Sequence, residues 1–307
     1  MKKLFCLIMA LLIIFIMAGC SETQTTNNSK LSIVAVSFPE YDFARAVAGD
    51  LADIKMLIPP AGEVHGYEPT VSDIRAVSTC DLLIYTGGES DTWTEKLIDS
   101  ANNKNLRALA MVDFAEHICF EDHNHEENHD KFTFDEHIWT SPENAISIVN
   151  AIKNTLSEID AENKKAYEDN SKAYCEKLDK LDKDIKVITE NTNKNTLVFG
   201  DRFPLAYFAN NYKLEYLSAF SGCSEDTEAS ASTIAMLIDY VKENNIPVVF
   251  INELSNTSIA EQIAKETGAE VRTFYSCHKV SKDDFESGKT YIDIMSRNIE
   301  NLNIALH

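Results

Sequence analysis

Apolar residues fall into two rhythms along this chain. Short continuous runs at 31–39, 53–58, 81–86, 196–199, 215–220, 247–251 and 271–275 read as buried strands. Segments at 41–48, 71–79, 93–102, 205–212, 230–243, 259–267 and 291–306 instead carry apolar positions at helical spacing, as at Phe43, Val47 and Ala48. Gly49 and Gly268 stand where helix ends are expected. Strand and helix alternating in this way predict parallel sheets covered on both faces. Between the two alternating regions, 142–191 has no Gly or Pro after Pro142, and Ser141-Pro142 reads as a helix start. Ile146, Val149, Ile152, Leu156 and Ile159, then Tyr167, Tyr174, Leu178, Leu181 and Ile185, keep the helical period. The polar residues 160–163 divide a shorter helix from a long one. The expected fold is α/β: two lobes, 31–141 and 194–307, each with a mostly parallel sheet flanked by helices. They are joined by connecting helices over 142–193, one of them a long, stiff backbone helix.

The amino terminus carries a different pattern. Lys2-Lys3 precedes an unbroken apolar run at 4–18, short for a spanning helix and suited to the core of a signal peptide. Met17-Ala18-Gly19-Cys20 resembles the lipobox of bacterial lipoproteins, so 1–19 is expected to be a leader and Cys20 a lipid anchor. An ordinary cleaved signal with an incidental Cys is the alternative. Residues 20–30, rich in Thr, Asn and Ser, read as a flexible tether that holds the chain on the extracytoplasmic face of the membrane.

Charge narrows the partners. There are 28 Lys and Arg against 49 Asp and Glu, a net of −21, a field that repels nucleic acid and gathers cations. Cys80, Cys119, Cys175, Cys223 and Cys277 remain beyond the leader and anchor, an odd number with no zinc-ribbon or CxxC spacing. A Cys223–Cys277 bridge stays open as one pairing.

Five of the eight histidines lie between Glu116 and Pro142, interleaved with carboxylates. Imidazole and carboxylate form the ligand set of zinc and its neighbours. His123, His125 and His129 sit in a stretch too polar for a core and read as an accessory metal loop, with a merely solvated charged loop as the bland alternative. His137 is followed by apolar Ile138-Trp139 and a helix start, so folded structure should fix it. His65, His137, Asp201 and His278 each sit beside the end of a predicted element in a different part of the chain. Two ligands from each lobe would make a four-coordinate site. Asp201 reads equally well as an N-cap, and Glu253, Cys223 and Cys277 remain possible ligands or supporting groups.

The chain resembles the substrate-binding lipoproteins of zinc and manganese ABC transporters, the ZnuA, TroA and PsaA types. The resemblance rests on Val36-Ser37-Phe38-Pro39-Glu40-Tyr41, His65-Gly66-Tyr67-Glu68-Pro69-Thr70, residues 135–144 and residues 290–295. It implies two lobes on one backbone helix with metal bound between them, and His65 and His137 stand at the family's two amino-lobe ligands. The carboxyl lobe departs from the pattern. Gly200-Asp201-Arg202 and Cys277-His278 stand where many members carry His or Glu, and Asp. The function implied is an extracytoplasmic receptor, a monomer rather than an enzyme, that binds zinc (manganese being the alternative cargo) and delivers it to an ABC permease and its ATPase. A surface adhesin or metal scavenger is a second possibility. A secreted zinc hydrolase is a third, although no HExxH helix is present.

Overall fold

Two four-stranded parallel sheets share one strand order. In the first, β1 (Leu31–Ala35), β2 (Ala52–Met56), β3 (Leu82–Tyr85) and β4 (Arg107–Ala110) stand in the order β2-β1-β3-β4. A two-stranded antiparallel ladder follows, β5 (Cys119–Phe120) with β6 (Thr133–Phe134). In the second sheet, β7 (Thr196–Phe199), β8 (Glu215–Ser218), β9 (Val248–Asn252) and β10 (Glu270–Phe274) repeat the order as β8-β7-β9-β10. The computed structural model describes residues 30–88, 91–116, 119–120, 133–192, 194–220 and 229–307. Cys20, His123, His125, His129 and Cys223 lie outside these residues.

The helices of the first half are α1 (Phe38–Ala48), α2 (Val71–Val77) and α3 (Trp93–Ala101). The middle of the chain forms α4 (Pro142–Ile159) and α5 (Lys164–Glu190). The second half adds α6 (Ala206–Asn211), α7 (Ala231–Glu243), α8 (Ser258–Thr267), α9 (Lys282–Glu286), α10 (Tyr291–Met295) and α11 (Arg297–Leu306). Among the described residues, no helix is long and apolar enough to cross a membrane.

Alternation along the strands explains how the layers join. Ile33, Leu82, Ile84, Leu197, Phe199, Val248 and Phe250 point into one shared core with α4 and α5. Their neighbours face away into separate clusters, Val34 and Leu83 under α3, and Val198, Val249 and Ile251 under α7 and α8. Each sheet is therefore covered on both faces, and one core runs from sheet to sheet. The long helix α5 buries Tyr167, Tyr174, Leu178, Leu181, Ile185 and Ile188 in that core. Leu31–His307 consequently forms one compact unit. Asp42, fully buried in α1, accepts hydrogen bonds from Tyr174 Oη (2.6 Å) on α5 and Tyr291 N (2.8 Å) at the start of α10, tying three distant segments together.

Several expected boundaries move, for local reasons. The run at 31–39 is a strand only to Ala35; Phe38 and Pro39 open α1 instead. Pro39 fits the first helical turn, where its missing N–H costs nothing. Ser37 precedes the helix, and Glu40 accepts its N–H (3.2 Å) and Oγ–H (2.5 Å). The other Glu40 oxygen accepts Thr86 Oγ–H (2.6 Å), joining the carboxyl ends of β1 and β3. β4 and α9 were not expected from the pattern, and 291–306 divides at Ser296.

Gly200 ends β7 against α8. A Cβ there would lie 2.5 Å from Ala260 Cα and 2.7 Å from Ala260 N, so α8 can pack this closely only on glycine. Replacement Gly200→Ala is expected to destabilise the fold by about 1–3 kcal/mol through overpacking. Urea denaturation would show the loss as a lowered midpoint; an unchanged midpoint would mean the contact relaxes freely.

Candidate metal centre

Three loops bring imidazoles together, and each loop is fixed by a carboxylate. His65 follows β2, and Glu63 Oε1 accepts the backbone N–H of Val64 and of His65, both at 3.1 Å. Gly66 then takes a φ of +75°, which lets the chain turn away immediately after His65. His137 is 3% exposed, and Asp135 Oδ1 accepts its backbone N–H (2.7 Å) and lies 2.8 Å from its Nδ1. That bond assigns the proton to Nδ1 and leaves Nε2 as the donor to a metal. The segment is also held from the second half: Tyr207 Oη donates to Asp135 O (2.8 Å), and Asn211 Nδ2 donates to Ser141 Oγ (2.6 Å).

His278 comes just after β10, beyond a turn in which Cys277 has a φ of +59°. Glu253 holds this turn by accepting from Ser276 N (2.8 Å), Ser276 Oγ (2.8 Å) and Lys279 N (3.2 Å). Ser276 Oγ in turn accepts the His278 N–H at 3.1 Å, and Trp139 Nε1 donates to Ser276 O at 3.0 Å. Glu63 and Lys279 form an ion pair between the loops of His65 and His278.

The three rings converge. Centroids are 5.8 Å apart for His65 and His137, and 4.9 Å for His278 with each of the others. One nitrogen from each ring falls within 4.8 Å of the others, the only such group of His, Cys, Asp and Glu among the described residues. His65 Nε2 is buried there with no hydrogen-bond partner. A buried polar atom left unpaired is costly, and three nitrogen donors facing one point suit a divalent metal of the zinc type. Two of the rings are poised to ligate. Burial, then repulsion from the neighbouring imidazoles, lowers the pKa of His65 and drives that of His278 well below the usual histidine value. His137 goes the other way. Its burial would lower the pKa, but Asp135, helped by Glu136 and Glu253, carries it above the usual value.

Asp201 takes a different place. It lines the same cleft as His65 and His278, yet stands outside the group of three ligand atoms. Its Oδ2 accepts Asn252 N (2.8 Å) and Asn252 Nδ2 (3.1 Å), and its Oδ1 accepts Arg202 N (2.8 Å). Oδ2 thus joins the carboxyl ends of β7 and β9, as Glu40 joins β1 and β3, while Oδ1 is taken up by the next residue of the chain. Cys277 is a free, buried thiol, and burial holds its pKa far above the usual range. Of the four residues expected to ligate, two from each lobe, three converge, and Asp201 lines the cleft beside them. Asp135 and Trp139 lie inside the quoted 135–144 motif, but their supporting roles were not read from it. Nothing local in the sequence marks Asn252 or Lys279.

Comparison with known proteins identifies the family. The family model described as zinc-uptake complex component A, periplasmic (ZnuA), matches residues 33–305. The zinc-binding lipoprotein AdcA of Streptococcus pneumoniae R6 is 32% identical over 307 residues, covering 98% of this chain, which spans 60% of that relative's length. The high-affinity zinc uptake system protein ZnuA of Bacillus subtilis strain 168 is 30% identical, with 95% of this chain and 94% of the relative covered. Among solved structures, the Zn(II)-bound ZnuA-like domain of S. pneumoniae AdcA superposes with a TM-score of 0.76 at 29% identity, over 91% of this chain and 99% of that one. With the family model spanning both sheets and all three histidines, the chain belongs to the ZnuA family of periplasmic zinc-uptake components.

Proposed function

We propose that the protein is the extracytoplasmic receptor of a metal ABC importer, with zinc as cargo held by His65, His137 and His278. The convergence of three imidazole nitrogens within 4.8 Å carries this reading. Nitrogen-rich sites favour zinc, whereas manganese is suited by more oxygen. Asp201 stands beside the cargo on the cleft wall rather than spending an oxygen on it. The tract of His123, His125 and His129 would capture ions and pass them inward, and Cys20 would hold the protein to the membrane by lipid. Release to the permease and its ATPase would complete the cycle. In this role the protein performs no chemistry on its cargo, and a monomer suffices.

The test is the metal content of protein lacking the leader after challenge with equimolar zinc and manganese. One zinc per chain and negligible manganese is the expected result. Deleting 122–130 should leave that zinc in place. Loss of all tight zinc with the deletion would make the histidine tract the whole site and sink the cleft reading.

A further inference from the structure

A second unpaired atom belongs to a residue that lines the same cleft. Asn252, the last residue of β9, is 8% exposed, and its Oδ1 is buried with no hydrogen-bond partner. Its orientation is fixed by its other bonds. The two Nδ2 protons go to Asp201 Oδ2 (3.1 Å) and Arg202 O (2.8 Å). Turning the amide over would set Oδ1 against a carboxylate and a carbonyl, so the assignment is forced by the network. Asp201 therefore does more than join two strand ends: it aims an amide oxygen away from itself. Asn252 lines the cleft together with His65, His278 and Ser276.

Three imidazoles fill three of the four positions zinc prefers. The carboxylates that line the cleft are spoken for, Glu63 by Lys279 and the His65 turn, Asp201 by Asn252 and Arg202, and Glu253 by the Ser276–Lys279 turn. A water on the fourth position would be a strongly polarised donor, since the ion lowers its pKa. It needs an acceptor, and the buried amide oxygen needs a donor. We propose that Asn252 Oδ1 accepts a hydrogen bond from a water on the cargo ion, making Asn252 a positioning residue that keeps the fourth site for a protic ligand. The inference rests on the zinc-receptor reading above.

Cobalt(II), which adopts the same geometry and is coloured, is the probe, and azide is the competitor for the fourth position. An anion without a proton to donate is disfavoured opposite an acceptor oxygen. Wild type loaded with cobalt should change its visible spectrum only at high azide. Asn252→Leu should respond at azide concentrations at least tenfold lower and bind zinc about tenfold more weakly. Asn252→Ala, read the same way, covers the case in which leucine does not fold. Asp201→Ala keeps the amide oxygen but loses one of the two bonds that orient it, and should show a gain in azide response smaller than that of Asn252→Leu. An unchanged response in both Asn252 variants overturns the inference, and so does an equal gain in Asp201→Ala. Wild type that takes up no cobalt or zinc overturns the receptor reading together with it; uptake with an unaltered azide response overturns this inference alone.

Discussion

His278→Ala is expected to lower zinc affinity by roughly two to three orders of magnitude, and His65→Ala by a similar factor. The magnitude follows from dividing the ~10–16 kcal/mol of a complete zinc site over four ligands, about 2.5–4 kcal/mol each, where 1.4 kcal/mol is tenfold. Neither substitution should unfold the protein. Both rings are only partly buried, and the turns that carry them are held by Glu63 and Glu253 through backbone groups that survive truncation. The measurement is competition with a chromophoric zinc chelator, alongside thermal unfolding of the metal-free variants. His137→Ala should also abolish tight binding, but at a structural cost, because the ring is 3% exposed and packs against Trp139 at 5.5 Å. Zinc held by His278→Ala as tightly as by wild type would remove that histidine from the ligand set, leaving Asp201 or Glu253 to be reconsidered.

Zinc affinity is expected to fall tenfold per unit as pH drops below the titration point of His137. The sign follows from the three pKa directions. A metal binds only neutral imidazole. His65 and His278 are lowered, so both are already neutral around pH 7 and release no proton on binding. His137 is raised, so it is the ring that must lose a proton as the ion enters. A single-proton slope should therefore begin at the raised titration point of His137 and steepen only in more acid solution, where the other two rings begin to protonate. Replacing Asp135 by Asn separates electrostatics from geometry. The raised pKa of His137 should fall, moving the onset of zinc loss to lower pH. At alkaline pH the same variant should bind about 10–100-fold more weakly, the usual cost of losing the group that orients a metal-bound histidine. The two affinity curves should thus converge toward acid. Titration calorimetry in two buffers of different ionisation enthalpy would count the released proton directly. Release of two or more protons at neutral pH would contradict the assignment of His65 and His278 as neutral.

Much of the architecture could be read from short-range pattern. The strand at Thr196–Phe199 and the break between α4 and α5 stand where the apolar period put them. The errors are equally local in origin. Residues 31–39 read as one strand because apolar continuity runs through Val36 and Phe38, and only the Ser37–Glu40 interaction shows where the helix begins. β4 was missed because Arg107-Ala-Leu-Ala has little β propensity; pairing with β3 makes it a strand. The break at Ser296 hides in an apolar period that continues across it.

The candidate site divides along the same line. Residue type and position at the ends of strands or loops were enough to single out His65, His137 and His278, the three side chains that converge, because a candidate ligand is an imidazole, carboxylate or thiol on a loop that can reach a cleft. The same criterion selected Asp201, whose chemistry is right and whose position after β7 is right. What redirects it is Asn252, 51 residues away on a neighbouring strand, a partner that no local pattern encodes. Protonation is likewise a property of the assembled site: three histidines of one intrinsic pKa are split by burial, by one another and by Asp135. The sequence by itself determined most of the elements, the acidic field and the residues able to bind metal, since these depend on side-chain chemistry and neighbours a few positions apart. Only the tertiary structure decided which of them meet, which carboxylate is diverted to holding strands, and which ring carries the proton. Those outcomes depend on distances and burial set by contacts between segments far apart in the chain.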